Sequence, residues 1–191
     1  MFGFNKKRRL IEGPVEFTAE VQIDRPAAEV FPLLDIADPR FSHVQRGAEV
    51  RSVDADGTQF EMSVEEFDDA VFTFKVVHRE NGARLTFETS MEPQQNALVE
   101  AVEDYSIEAL GDEACHVRVA TTATFGEDLS DEEVAGEIAV MSAAVTGDLE
   151  KLKVLAEEGV EAVIALEEEE FGFDFQLDGI NIEWDDIEPE Q

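Results

Sequence analysis

The stretch "VEFTAEVQIDRPAAEVFPLLDIADPR", residues 15–40, decides the fold. From Val15 to Ile23 apolar and polar residues alternate, which predicts a strand with one buried face. Asp24 can then cap a helix, and Pro26 suits the first turn of that helix. The helix would bury an apolar stripe of Val30, Phe31, Leu33 and Leu34. A strand is therefore expected to turn directly into a short amphipathic helix.

Six further segments have the composition of strands. They are separated by the turn signals "DADG", "DD", "ENG" and "GDE", which favour hairpins between neighbouring strands. Their polar residues alternate with apolar ones, so the sheet should have one wet face and one covered face. The segments are 44–53, 58–67, 70–79, 83–91, 97–110 and 114–125. An antiparallel meander is therefore expected.

A long helix is predicted from "LSDEEVAGEIAVMSAAVTGDLEKLKVLAEEG", residues 129–159. Ser130 and Glu133 form a capping-box pattern, and Leu129 can pack against Val134 as a hydrophobic staple. Apolar residues then recur at steps of three and four over a length of about 40 Å. This stripe consists of Val134, Ile138, Met141, Val145, Leu149, Leu152 and Leu155. The helix should cover the apolar face of the sheet.

This order of elements resembles the START and birch-pollen-allergen (SRPBCC) superfamily. Residues 21–40, "VQIDRPAAEVFPLLDIADPR", and 149–159, "LEKLKVLAEEG", carry the resemblance, which covers about residues 15–158. It implies the α+β helix-grip fold, in which a curved seven-stranded antiparallel sheet wraps a long C-terminal helix and two short helices follow the first strand. The chain has Phe31 where many bacterial members have tryptophan. The resemblance also implies a cavity between the sheet and the long helix.

The sequence divides into three parts. A basic N-terminal extension covers residues 1–14, the helix-grip domain covers 15–166, and an acidic and aromatic tail covers 167–191. This tail contains three closely spaced phenylalanines and the single tryptophan of the chain, which a fully solvated tail would not be expected to carry. The tail is expected either to dock on its own domain or on a second subunit, or to bind a protein partner, through residues 171–187.

The charge excludes some classes of partner. With 46 acidic and 14 basic residues the formal net charge is −32, so the surface repels nucleic acids and anionic head groups. An acidic surface of this kind is also compatible with a high-salt habitat. No apolar run is long enough for a membrane span, and the N-terminus has no signal-peptide pattern, so a cytoplasmic location is expected.

No cofactor or metal is expected from the motifs. Glycine-rich phosphate loops, H-E-x-x-H and G-x-S-x-G are missing from the sequence. His43, His78 and His116 lie in three separate segments, which does not indicate a metal site. Cys115 is the single cysteine, so an internal disulfide is excluded.

Candidate site residues follow from the strand parity that points apolar side chains inward. The same parity brings His78, Glu103 and Tyr105 inward, where they could orient a ligand or act as general acid and base. Alternatively, Glu103 faces water at a bulge, Tyr105 packs in the core with its hydroxyl at the rim, and His78 ends its strand in solvent. The predicted ligand-binding residues are Phe60, Met62, Phe72, Phe74, Phe87, Tyr105, Thr121, Ile138, Met141 and Val145.

Three functions remain open at this point. The first is a non-enzymatic protein that binds a small hydrophobic molecule, such as a lipid, an isoprenoid or a polyketide-like compound, in the implied cavity. The second is an interaction or assembly protein that uses the acidic and aromatic tail. The third, least favoured, is an enzyme similar to superfamily members that cyclise or dehydrate polyketides.

Overall fold

A computed structural model describes residues 13–45, 47–63, 70–94, 97–126 and 129–172. Nearly all of the basic N-terminal extension lies outside these ranges, as does the tail from residue 173 onward. The partner-binding role of residues 171–187 therefore stays a prediction. None of the described helices is long and apolar enough to cross a membrane.

Seven strands form one sheet in the order β1-β7-β6-β5-β4-β3-β2, and every neighbouring pair is antiparallel. This confirms the predicted meander, in which sequential strands are neighbours and β1 closes on β7. The strands are β1 (Val15–Ile23), β2 (Glu49–Ser52), β3 (Gln59–Ser63), β4 (Val71–Glu80), β5 (Arg84–Glu92), β6 (Leu98–Ala109) and β7 (Cys115–Phe125).

The helices lie where the helix-grip fold requires them. α1 (Ala27–Val30) runs into a 3-10 turn (Phe31–Leu34), and the short α2 (Ser42–Gln45) follows. The predicted strand over 44–53 is therefore wrong at its start, because residues 42–45 are helical and β2 begins only at residue 49. The remaining helices are α3 (Asp131–Glu157) and α4 (Val160–Gly172).

The start of α3 is fixed by the predicted capping box. The backbone N–H of Glu133 donates to the Ser130 hydroxyl over 3.3 Å, and the backbone N–H of Ser130 donates to Glu133 Oε2 over 2.7 Å. Leu129 packs in the same apolar cluster as Val134, as a hydrophobic staple requires. The helix therefore begins where the sequence predicts.

The core lies between α3 and the inner face of the sheet. Leu85, Val117 and Val119 on β5 and β7 are inaccessible to water, and Val145 and Leu149 of α3 are buried against the same cluster. These α3 residues lie four apart, so they share one face of the helix. α3 crosses closest to β1. The long helix is thus the cover of the apolar sheet face, as predicted.

The corner after β1 differs from the prediction. Pro26, not Asp24, is the N-cap residue of α1. The backbone N–H of Asp24 instead donates to Glu157 Oε1 at the end of α3, over 2.7 Å. Lys153 Nζ donates to the same carboxylate and to the carbonyl of Gln22, each over 2.8 Å. Asp24 therefore joins the corner to α3 rather than capping α1.

Arg25 completes this junction at the C-terminus of α3. Its Nε donates to the carbonyl of Ala156 over 3.1 Å, and its Nη2 donates to the carbonyl of Glu157 over 2.9 Å. The last turn of α3 has no basic residue of its own. Since the carbonyls there carry partial negative charge and lack helical partners, a guanidinium is a favourable cap. We call the contacts of Arg25, Asp24 and Lys153 with this turn the corner clasp.

A second helix follows α3, where no regular element was predicted. Gly159 ends α3 with a φ of +96°, and its N–H donates to the carbonyls of Val154 and Leu155. α4 then extends past the predicted domain boundary at residue 166. An ion pair of 3.2 Å between Lys151 Nζ and Glu167 Oε1 joins the two helices. The first residues assigned to the tail are therefore helical.

The corner clasp should contribute measurably to stability. Arg25→Ala leaves two helix-end carbonyls without their donor, and we expect it to lower the free energy of unfolding by about 1 kcal/mol. Urea denaturation followed by circular dichroism measures this change. Arg51→Ala removes an exposed ion pair with Glu61 and is the control, with an expected loss below about 0.5 kcal/mol. Equal losses in the two variants would contradict the clasp.

Candidate functional site

Part of the inner face of the sheet remains accessible to water although α3 covers it. Phe17, Phe74 and Tyr105 point to the covered face but are only half-buried, whereas Asp148 of α3 is exposed. Val119, on the same face, is fully buried. The cover that α3 gives to this face is therefore incomplete around these three aromatic residues.

A row of aromatic rings lines this face on three neighbouring strands. The ring centroids of Phe74 and Phe87 are 6.5 Å apart, and those of Phe87 and Tyr105 are 6.3 Å apart. Interplanar angles of 83° and 73° make both contacts edge-to-face, which is the favourable geometry for such pairs. We call the rings of Phe74, Phe87 and Tyr105 the aromatic wall. They present apolar surface and ring faces that a small molecule could contact.

Glu103 lies in the middle of this face. It is paired in register with Phe87 on β5 and with Thr121 on β7, and Tyr105 Oη donates to its Oε2 over 3.4 Å. Burial among protein atoms raises the pKa of Glu103 to about 7, Asp148 raises it further, and the Tyr105 hydrogen bond acts in the opposite direction. Its carboxyl group can therefore change protonation near neutral pH.

Tyr105 is held as a hydrogen-bond donor. Burial raises the pKa of its phenol well above the ordinary value, and the nearby carboxyl groups of Glu103 and Asp148 act in the same direction. A phenolate beside these acids would be both desolvated and repelled. Its hydroxyl therefore keeps its proton and presents a free oxygen lone pair.

Asp148 is a site residue that the sequence analysis missed. It lies on α3 three residues after Val145 and four before Leu152, at the edge of the inward face, and its side chain is exposed. Its charge raises the pKa of both Glu103 and Tyr105. The apolar stripe of α3 runs unbroken through Leu149, so helical periodicity contains no signal for Asp148.

Thr121 adds a buried polar atom to the same place. Its side chain is 0% exposed, and Oγ1 has no hydrogen-bond partner among the described residues. A buried hydroxyl without a partner costs free energy unless another molecule satisfies it. Among the predicted lining residues, Thr121 is therefore the one whose buried hydroxyl lacks a hydrogen-bond partner in the described part of the chain.

The structure does not bring all predicted lining residues together. Phe60, Phe74, Phe87, Tyr105 and Val145 share the main core cluster. Ile138 and Met141 instead pack in a smaller cluster around Phe125. Met62 and Phe72 lie opposite each other on β3 and β4, with Met62 buried and Phe72 half-buried. The direct binding of a ligand by these residues stays a prediction.

The inward placement of His78 is wrong. The register between β4 and β5 shifts between Val76 and His78, so His78 pairs with Thr86 and is exposed. The Thr86 hydroxyl donates to Asp104 over 2.8 Å, and this carboxylate has its pKa lowered chiefly by Arg84, with His78 as a weaker contributor. A bulge adds one residue to a strand and reverses the facing of those beyond it. His78 therefore belongs to the outer face, away from Glu103.

A second concavity lies outside the sheet. Its volume is about 590 Å³, and it opens where α1 and α2 meet the junction of α3 and α4, about two helical turns beyond Asp148. None of the predicted ligand-binding residues lines it. Its lining consists of Ala28, Glu29, Pro32, Leu33, Arg40, Gln45, Leu155, Ala156, Gly159 and Val160.

Metal and thiol chemistry find no support in the described part of the chain. No group of three or more metal-ligating side chains comes together within it. Cys115 is fully buried in the core, and burial raises the pKa of its thiol, which disfavours the reactive thiolate.

Glu103 should make stability depend on pH. Because its pKa is about 7 in the folded chain against an ordinary 4.5, its stabilising effect is complete below about pH 4.5 and is lost as pH rises through 7. We expect Glu103→Gln to be more stable than the unmodified chain by about 2 kcal/mol at about pH 8, with little difference at about pH 4.5.

Urea unfolding at several pH values measures this difference. Glu108→Gln, at an exposed position of β6, removes the same formal charge and should leave the pH dependence unchanged. If Glu108→Gln stabilises the chain at high pH as much as Glu103→Gln does, general charge repulsion and not the site is responsible.

Comparisons with known proteins show the fold. Neither family models nor curated proteins match the sequence, whereas solved structures match at the level of the fold. Ara h 8.0201 is 15% identical, with a TM-score of 0.57 and coverage of 75% of this chain and 98% of that one. A START superfamily protein from Mycobacterium smegmatis is 14% identical, with a TM-score of 0.50 and coverage of 72% and 98%. BexL, a di-domain ARO/CYC protein from the BE-7585A biosynthetic pathway, is 16% identical, with a TM-score of 0.55 and coverage of 77% and 46%. The chain therefore has the helix-grip fold of the START and birch-pollen-allergen (SRPBCC) superfamily.

Proposed function

We propose that the protein binds a small hydrophobic molecule between the inner face of the sheet and α3. The observation that carries this proposal is the partial accessibility of Phe17, Phe74 and Tyr105 on a face that α3 otherwise covers. An aromatic wall with few polar groups is the usual lining of a small-molecule site. Lipids, isoprenoids and polyketide-like compounds are the ligand classes that fit it.

The expected affinity is moderate. Burying about 300 Å² of apolar ligand surface is worth roughly 7 kcal/mol, and immobilising the ligand and the lining side chains offsets part of this. Micromolar binding corresponds to about 8 kcal/mol, so a ligand that also makes polar contacts would reach that range. Glu103, Tyr105 and Thr121 are the groups on the sheet that could make them.

The site can be tested by filling it. Val76 lies on the inner face of β4, in register with Phe87, and is half-buried, so Val76→Trp places a large ring beside the aromatic wall. We expect Val76→Trp to weaken the binding of Nile red, a neutral hydrophobic dye, by about tenfold or more. A fluorescence titration with the purified protein measures the dissociation constant.

The neighbouring position supplies the matched control. Val77 lies at the β4 bulge and is 43% exposed, so Val77→Trp introduces the same ring outside the proposed site. It should leave Nile red binding unchanged, and thermal unfolding should show both variants folded. Equal binding by Val76→Trp and the unmodified chain would contradict a site at this place.

A second candidate function is proton-transfer catalysis on a bound carbonyl compound. Glu103, with a pKa of about 7, could take a proton from carbon or give one to a leaving hydroxyl. The Tyr105 hydroxyl, which donates to Glu103 Oε2 in the structure, would turn its single proton to the carbonyl oxygen. Cyclisation with loss of water would need groups of these two kinds. BexL, which shares the fold, is described as an ARO/CYC protein.

The two candidate functions differ in what the bound molecule becomes. If Glu103 transfers protons, Glu103→Gln purified from the same host should retain a molecule heavier by one water than the molecule from the unmodified chain. Extraction and mass analysis of both preparations measure this. Identical molecules in both preparations would favour a binding protein without this reaction.

A further inference from the structure

The concavity outside the sheet is a groove with a mostly apolar lining. Its volume is about 590 Å³, and binding sites usually have volumes of roughly 300–1,000 Å³. Leu33 of the 3-10 turn lines it together with Leu155 and Val160 from the junction of α3 and α4. Glu29 and Arg40 are the charged residues of this lining. We call this concavity the corner groove.

The sequence after α4 is long enough to reach the corner groove. α4 begins at Val160 in the groove lining, packs against α2 and α3, and ends at Gly172. Its 13 residues span about 20 Å. Ile180 lies eight residues after Gly172, and eight extended residues reach up to about 26 Å. The segment from Ile180 to Trp184 can therefore return to the groove from the end of α4.

This segment combines apolar anchors with acidic residues. Ile180, Ile182 and Trp184 alternate with polar residues, so an extended backbone would point the three apolar side chains to one side. Residues 173–191 contain seven acidic residues and no basic one. Such a segment can bury its apolar side in a groove while its carboxylates stay in water.

Two arginines at the corner groove favour an acidic occupant. Arg40 donates to Asp38 through Nε and Nη2 over 2.9 and 2.7 Å, and its side chain is still 57% exposed. Arg25 donates to the carbonyls of Ala156, which lines the groove, and of Glu157. A guanidinium has five N–H donors, which is more than these described contacts use. Both arginines can therefore attract a carboxylate of the segment.

We propose that residues 180–184 of the chain dock in the corner groove of the same molecule, with the Trp184 ring as the apolar anchor. This contact is separate from the proposed ligand site on the inner face of the sheet. Attachment through α4 keeps the segment near the groove at an effective concentration on the order of millimolar, so weak contacts are enough to hold it. The docked segment ties α1 and the 3-10 turn to the junction of α3 and α4.

Tryptophan fluorescence of the full chain measures the docking, because Trp184 is its single tryptophan. We expect acrylamide to quench Trp184 at least about threefold less efficiently in the folded chain than in the chain unfolded in urea. Dilution by about a hundredfold should not change this protection, because a contact within one molecule does not depend on concentration. Protection that disappears on dilution would assign the contact to a second copy, and equal quenching in the folded and unfolded chain would exclude docking. Either result overturns the proposal.

A matched pair of variants locates the contact. Ala28 is exposed on α1 and lines the groove, so Ala28→Glu places a carboxylate against the Trp184 ring and should raise its quenching about threefold. Ala135→Glu adds the same charge at an exposed position of α3, about 30 Å along the helix from Leu155, and should leave the quenching unchanged. Thermal unfolding followed by circular dichroism shows that both variants are folded. If Trp184 is equally protected or equally exposed in the two variants, docking in the corner groove is wrong.

Discussion

The structure depends on how α3 is held across the sheet, because that helix covers the apolar inner face. The corner clasp fixes its C-terminal end: Arg25 donates to two carbonyls of the last turn, while Asp24 and Lys153 bond to Glu157. The capping box that begins at Ser130 fixes the other end. The corner between β1 and α1 and the capping box therefore hold the two ends of the helix that covers the inner face.

The polar groups of the site oppose stability and favour function. Burial of the Glu103 carboxyl group raises its pKa and so disfavours its ionised form, and Thr121 Oγ1 is buried without a partner among the described residues. A chain selected for stability alone would carry apolar residues at these positions. Perturbed acids and unsatisfied groups concentrated at one place in an otherwise apolar interior are typical of binding and catalytic sites. The packing around them supplies the stability that they cost.

Alternation and helical periodicity predicted the fold because each follows from local geometry. The seven strands and α3 appear where those patterns lie, and residue parity placed Glu103 and Tyr105 on the inner face. Parity failed for His78, because a bulge adds one residue that no alternation rule can anticipate. The Arg25 contacts join residues 131 positions apart, which local patterns do not report. Asp148 lies beside the stripe of α3, which is unbroken from Val145 through Leu149, so periodicity did not single it out.

Native mass spectrometry tests the central claim most directly, which is that one small hydrophobic molecule fits between the sheet and α3. The measurement is made on the freshly purified chain of 21.2 kDa and repeated after octanol is added in excess. The account predicts a complex with one bound molecule, either retained from the host or formed with octanol, and its loss in Val76→Trp. A chain that shows only its own mass in both measurements would contradict the account.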